Sequence, residues 1–414
     1  METYTAYKIK LKKFTEVETE ARLEAAKLWN RVVKLHKWFR VRKLPWPTES
    51  VFKKHFKDRF NLHSQTIQAI IEKFFSNIET TRVNRKRGDK EARYPYKFKK
   101  YFIVPWKSSA IRIKDKYITL SMGRGKKPLK FKLPFEVSGK IVEVQLGFFE
   151  LILIVKQSLP EITQQPTGVA SVDLGIIHTA MITDGYTTLG IVGRELRAII
   201  QKHNKKKSII NKLLSKCKKG SRRWKKLKRA LKDYSRKREN SQKNFLHQAS
   251  NKIKKYCKEN NIGTLVVGDV TEINRGKKGK FSKRLNQENG NNPLGKLLQY
   301  LEYKLKPPGC KVVKINEAYT TQTCPTCGEK HKPSGRIYNC KSCGKVFVRD
   351  EVGAMNILNK YLNGKILPGK LLPTGNVKYL RPVKIFTERS RPTDIRQSTN
   401  SRKSTNSRKV AYQA

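Results

Sequence analysis

Residues 168–185, GVASVDLGIIHTAMITDG, carry the reading on which the rest of the chain turns. Apolar residues run up to Asp173, Gly175 follows, and a second apolar run ends at Thr183, with Asp184-Gly185 as a hairpin turn signal. The stretch therefore predicts a pair of buried strands with one carboxylate at a strand end. Gly175 has no side chain to obstruct a close approach to that acid. Acids are scarce in this chain, so its position stands out.

Working outward, residues 194–259 form a long basic helical stretch broken at Gly220, within which Trp224, Leu227, Leu231 and Tyr234 take the spacing of a packed helical hairpin. A buried strand (TLVVGD, 264–269), a Gly/Lys-rich loop, a helix near 294–306 and a strand over 311–319 (KVVKINEAY) follow. Cysteines cluster in 320–347, and a last helix starts near Asp350. Residues from about 364 to 414 lose periodicity and end in a Ser/Thr/Arg/Lys-rich stretch, which predicts a basic, disordered tail. Toward the N-terminus, the polar stretch 157–166 is the expected boundary. Before it, 4–11 reads as a strand. Trp29, Val32, Val33 and His36, then Ile67, Ile70, Ile71, Phe74 and Ile78, repeat at helical spacing. Short alternating strands surround 111–113, 117–120, 141–146 and 151–155, predicting a small β-barrel or sheet with helices inserted after its first strand.

The chain has 414 residues, with 92 Lys+Arg against 32 Asp+Glu and a net charge of +60. Self-repulsion of that size calls for a polyanion. Nucleic acid fits, because each neutralised phosphate also releases counterions. The aromatic and basic residues interleaved over 82–100 (RVNRKRGDKEARYPYKFKK) suit base stacking and phosphate contact, or else a solvated linker. Trp38, Trp46 and Trp106 read as packing residues. No apolar run reaches about 18 residues and no secretory or lipidation signal is present, so no membrane partner and a cytoplasmic location are expected.

Cys324-x2-Cys327 and Cys340-x2-Cys343 are two knuckles separated by twelve residues. Each puts two thiolates on one turn, and together they complete a tetrahedron around Zn²⁺. Gly328 and Gly344 follow the knuckles and suit their tight turns. Disulfide pairing is disfavoured in a reducing compartment. His331 is a ligand by type, but four cysteines close the site without it.

Asp350 lies in VRDEVGAMNIL, at the start of the last helix, where the helix dipole favours an anion. Two or three carboxylates meeting in space hold paired Mg²⁺ ions about 4 Å apart for phosphodiester hydrolysis. Taken alone, Asp350 reads equally as a helix cap and Asp173 as a turn former. SVDLGIIHTAMITDG, GREL at 193–196, TLVVGDV, EAYTTQTCPTCG and CKSCGKVFVRDEVGAMNIL resemble, in that order, the RuvC-like half of the TnpB proteins, transposon-encoded relatives of type V CRISPR effectors. The resemblance is strong over about 168–360 and weaker before it.

The resemblance implies a mixed α/β and β, multidomain fold. A wedge-type β-barrel spans 1–165, with a helical recognition insertion at about 15–95. An RNase H-like RuvC domain spans 166–363, with a zinc ribbon inserted at 320–347, and the basic tail spans 364–414. It implies RNA-guided cleavage of DNA beside a short transposon-adjacent motif, with guide RNA and target DNA as partners, Mg²⁺ as catalytic cofactor and Zn²⁺ as structural cofactor. Asp173 and Asp350 take the places of the first and third metal-binding acids.

The second acid departs from the pattern. Most members carry Glu followed by Asp at the end of the middle strand, where this chain has Gly268 followed by Asp269. Asp269 points to the opposite face of a strand. Glu317 is the expected replacement, since some relatives with the same glycine carry an acid there. Asp269 and Glu302 are the alternatives. A site that no longer cleaves would make the protein an RNA-guided DNA-binding repressor. A CRISPR-associated effector and a DNA-strand transferase are further readings.

Overall fold

β1 (Glu2–Lys10) pairs antiparallel along its whole length with β7 (Glu150–Ser158), and everything between them in sequence is inserted at that pair. The insertion begins with helices α1 (Glu16–Val41), α2 (Glu49–Phe56) and α3 (Ser64–Lys86). Thr15 and Glu18 start α1 as a capping box: Glu18 N donates to Thr15 Oγ1 (3.3 Å) and Thr15 N to Glu18 Oε2 (2.9 Å). The apolar stripes predicted from spacing face inward, with Val32, Val33, Ile70, Ile71 and Phe74 fully buried. Each such aliphatic side chain contributes about 1.5–3 kcal/mol. Strands β2 (Val104–Lys107), β3 (Ile111–Lys114), β4 (Tyr117–Leu120), β5 (Leu129–Lys132) and β6 (Lys140–Leu146) follow. They complete a four-stranded sheet of order β1-β7-β6-β2 and a separate three-stranded sheet, β3-β4-β5. The expected barrel is thus realised, among the described residues, as two antiparallel sheets without a ladder joining them. Trp106 is fully buried, whereas Trp38 is exposed and stacks under Arg42.

The computed structural model describes residues 2–158, 164–269, 286–287, 290–333 and 335–382. The chain divides into two units, Met1–Glu161 and Ile162–Ala414. The Gly/Lys-rich loop after Asp269 and the end of the expected tail lie outside the described residues.

The second unit is built on a mixed six-stranded sheet. Its strands are β8 (Gly168–Asp173), β9 (His178–Thr183), β10 (Thr188–Val192), β11 (Ile262–Gly268), β12 (Lys311–Ile315) and β15 (Val377–Leu380), in the order β12-β11-β8-β9-β10-β15. β11 runs parallel to both β8 and β12, whereas β9 is antiparallel to β8 and β10. Parallel partners need long crossovers, and α4 (Arg194–Ser215) and α5 (Arg222–Glu259) supply the one from β10 to β11, turning at Gly220 (φ 91°). Helix α6 (Leu294–Leu305) leads to β12. A small hairpin, β13 (Ile337–Asn339) and β14 (Val346–Val348), precedes α7 (Arg349–Asn363). Ala170, Val172, Leu265 and Val267 belong to the core formed with α4, α5 and α6. Strand alternation puts Ser171, Asp173, Val266 and Gly268 on the other face, under α7.

Two expectations are corrected. The strand predicted over 311–319 ends at Ile315, because Asn316 Oδ1 accepts from Ala318 N (2.7 Å) and Tyr319 takes φ 65°, turning the chain. The segment from 364 does not begin a tail. Residues 377–380 form edge strand β15, parallel to β10, and Thr374 N and Oγ1 donate to buried Glu351 Oε1 at 3.0 and 2.9 Å. A four-residue strand carries too little periodicity to be read from sequence, and its pairing is with a partner nearly 190 residues earlier.

Candidate functional site

Three carboxylates expected from sequence converge where β8 and β11 end. Asp173 closes β8, Asp350 lies in the first turn of α7, and Glu317 sits on the turn just beyond β12. Asp173 reaches across to α7 one turn after Asp350: a β-carbon on Gly353 would lie 2.5 Å from Asp173 Oδ2. Ser171 Oγ donates to Ala354 O (2.6 Å), fixing β8 against the helix. Burial, then the charges of Glu317 and Asp350, push the Asp173 carboxyl up to about 7, with Arg349 only partly opposing them. Glu317 is also raised, by burial and by Asp269. Mutual repulsion of this kind marks an acid cluster whose charge calls for a cation.

Asp350 is held differently. Burial acts against its charge, but His178 Nδ1, 2.6 Å from Asp350 Oδ2, and neighbouring Arg349 and Arg336 hold its carboxyl below the usual range. Sequence reading missed His178, since the seven histidines show no ligand spacing. The available signal was its place as first residue of β9, directly after the turn that follows Asp173. Asn356 was missed as well. It is fully buried and donates to Thr320 O (2.7 Å) and Thr323 O (2.8 Å), anchoring the segment after Glu317. Asp350, Gly353 and Asn356 recur along one helix face, which is the pattern that would have exposed it.

The turn bearing Glu317 is firmly set. Thr320 N and Oγ1 donate to Glu317 O (3.2 and 2.8 Å), and Lys360 Nζ donates to Asn316 O (2.8 Å). Of the alternatives, Glu302 is half-exposed and pairs with Lys314 (3.0 Å). Asp269 follows Gly268 just beyond the end of β11, and its charge acts on Glu317.

The cysteines form a second centre. Cys324, Cys327, Cys340 and Cys343 bring their sulfurs within 4.8 Å of one another. Cys324–Cys343 and Cys327–Cys340 lie at 3.7 and 3.6 Å. Those spacings far exceed a disulfide, about 2.05 Å. They match the roughly 3.8 Å edge of a tetrahedron with Zn–S bonds of about 2.3 Å. Burial works against the Cys340 thiolate, but amide hydrogen bonds from Cys343 and Ser342 outweigh it and hold the thiol down at about 6. Gly328 and Gly344 take positive φ (81° and 68°), and their amides donate to the carbonyls of Cys324 and Cys340, 3.0 Å each. His331 Nε2 instead lies 2.8 Å from Asn339 O, outside the cluster. Among the described residues, no other set of three or more such groups is this tight. The three acids stand further apart.

Residues 152–274 match the family described as "Probable transposase", and residues 295–357 match the "Cas12f1-like, TNB domain". TnpB-like protein MJ0751 of Methanocaldococcus jannaschii is 32% identical over 170 residues, which make up 40% of this chain and 57% of that protein. The chain thus spans little more than half the length of that relative. InsQ of Escherichia coli, described as a putative RNA-guided DNA endonuclease, is 26% identical over 238 residues, 55% of this chain and 54% of InsQ. The cryo-EM structure of a Cas12f1-sgRNA-target DNA complex contains a chain that superposes with TM-score 0.59 at 15% identity, covering 84% of this chain and 82% of that one. The fold and the cysteine cluster therefore define a mixed α/β, multidomain protein with the Cas12f1 fold. The chain is similar to TnpB-like proteins over the regions these matches cover.

Proposed function

We propose that the protein is an RNA-guided DNA endonuclease that cuts target DNA beside a short transposon-adjacent motif, with Asp173, Glu317 and Asp350 as its hydrolytic acids. The convergence of these three carboxylates at the ends of β8 and β11, with the Asp173 carboxyl raised by burial and then by the charges of the other two, is the observation that carries this reading. The strand order and directions of the second unit suit an RNase H-like RuvC domain. The first unit then serves as the wedge with its helical recognition insertion, and the cysteine cluster as a zinc ribbon.

When bound, a Mg²⁺ pair supplies activated water and stabilises the leaving oxygen of the phosphodiester. Asp173, Glu317 and Asp350 would hold the ions, and Asp173 feels the charge of both other acids. His178 fixes which oxygen of Asp350 faces the cleft. Glu317 enters from the β12 side, in the space left open by Gly268. Guide RNA, heteroduplex and displaced strand account for the +60 charge. Exposed Tyr96 and Phe98, with Arg85 stacked over Tyr94 at 4.6 Å, suit the 82–100 segment to polynucleotide contact.

Gly268 also motivates a second reading, a guided DNA-binding repressor that does not cleave. The test is Mg²⁺-dependent cutting of a target plasmid by protein carrying its copurified, sequenced RNA. Loss of cutting in Glu317→Ala with DNA binding intact supports the proposal. Retained cutting rejects Glu317 as the second acid, and absence of cutting by the parent protein selects the repressor.

A further inference from the structure

Gly268 is required neither by its backbone nor by a turn. It ends β11 in ordinary extended pairing, opposite Ile315 of β12, and its φ lies outside the left-handed region. What makes it distinctive is the occupant of the space its missing side chain leaves. A β-carbon built there would overlap Glu317 Oε2, and would lie 3.1 Å from Glu317 Cβ and 3.2 Å from Ile357 Cδ1. The hollow is therefore walled by α7 on one side and filled by the Glu317 carboxylate on the other.

The backbone of that turn has little room to retreat. Its carbonyls at 316, 317 and 320 are each held by a hydrogen bond, from Lys360, Thr320 and Asn356 respectively. An added methyl group at 268 would thus swing the carboxylate, the free end of the side chain, and leave the strand in place. We infer that Gly268 is the positioning residue for Glu317: the seat of the second acid is the vacancy at 268, and that seat holds one carboxylate, supplied from 317. The inference rests on the reading of Glu317 as a metal-binding acid and adds that its geometry is set from the neighbouring strand.

The test uses Mn²⁺ binding to the full-length chain by calorimetry, beside the thermal midpoint in EDTA. Gly268→Ala is expected to keep its EDTA midpoint and to weaken Mn²⁺ binding about 10–100-fold, the range for a group that orients a ligand. Combined with Glu317→Ala it should weaken binding no further than Glu317→Ala alone, because both changes remove the same interaction. Wild-type Mn²⁺ affinity in Gly268→Ala, or a loss that adds to that of Glu317→Ala, overturns the inference and leaves the role of Glu317 intact. Wild-type affinity in Glu317→Ala overturns the underlying reading instead. Should Gly268→Ala fail to fold, Gly268→Glu in a Glu317→Ala chain asks the same question from the strand side. Recovery above the Glu317→Ala level supports a single shared seat, and no recovery overturns it.

Discussion

His178 Nδ1 lies 2.6 Å from Asp350 Oδ2, joining the start of β9 to the first turn of α7. The ring also packs against Tyr379 of β15, with centroids 5.1 Å apart. A carboxylate fixed by a ring N–H presents its remaining lone pairs in one direction. His178→Ala should lower plasmid cutting about 10–100-fold at limiting Mg²⁺. His178→Asn, whose amide nitrogen falls near the position of Nδ1, should restore part of it. Equal losses in both variants would show that the ring only packs.

The Asp173 carboxyl is raised from 3.8 to about 7 by burial and by the charges of Glu317 and Asp350. A raised folded-state value means that its stabilising contribution is complete below 3.8 and is lost as pH rises through about 7. The metal-free protein therefore carries the greatest strain from this acid above that value, where a bound cation relieves it. The rise in thermal midpoint on adding Mg²⁺ should grow between about pH 5 and about pH 8. Asp173→Asn should abolish that growth, as measured by calorimetry.

Cys324, Cys340 and Cys343 share a small core with Tyr338 and Val352, and Val352 lies on α7 two residues after Asp350. Ion removal should therefore loosen the start of that helix as well as the knuckles. Metal analysis should find one zinc per chain, lost in Cys340→Ser. Amide exchange over 349–353 should accelerate with it. Unchanged exchange there would separate the cysteine cluster from the acids.

His36 tests the first unit alone. Its ring is 1% exposed among Trp46, Phe74 and Tyr94, and neither nitrogen has a hydrogen-bond partner. Burial, helped by Arg40 and Arg82, lowers its value from 6.5 to about 4. A depressed value means stability that is fully present above 6.5 and lost as pH falls through about 4. His36→Phe should reduce the acid sensitivity of the first unit, seen as a smaller drop in midpoint between about pH 7 and about pH 4.

Glu351 is fully buried, and its Oε1 accepts from Thr374 N, Thr374 Oγ1 and Thr188 Oγ1 (3.2 Å). Ending the chain after Ile366 removes two of these donors together with β15. The cost should be about 1–3 kcal/mol or more, since the buried carboxylate keeps only one partner. A chain ending after Pro382, which keeps β15, is the comparison. Equal midpoints for both truncations would show that β15 does not support the sheet.

Sequence by itself determined the features that local chemistry dictates. The apolar run to Asp173, the helical stripes of α1 and α3 and the two cysteine knuckles are each written in a short window, where periodicity and ligand spacing admit few alternatives. Tertiary structure alone decided what long-range pairing controls. The chain contains no local sign that His178 meets Asp350 across 172 residues, or that residues 377–380 pair with β10. Those relations arise because parallel strands bring together ends far apart in sequence, and a side chain then takes whatever space its neighbours leave open.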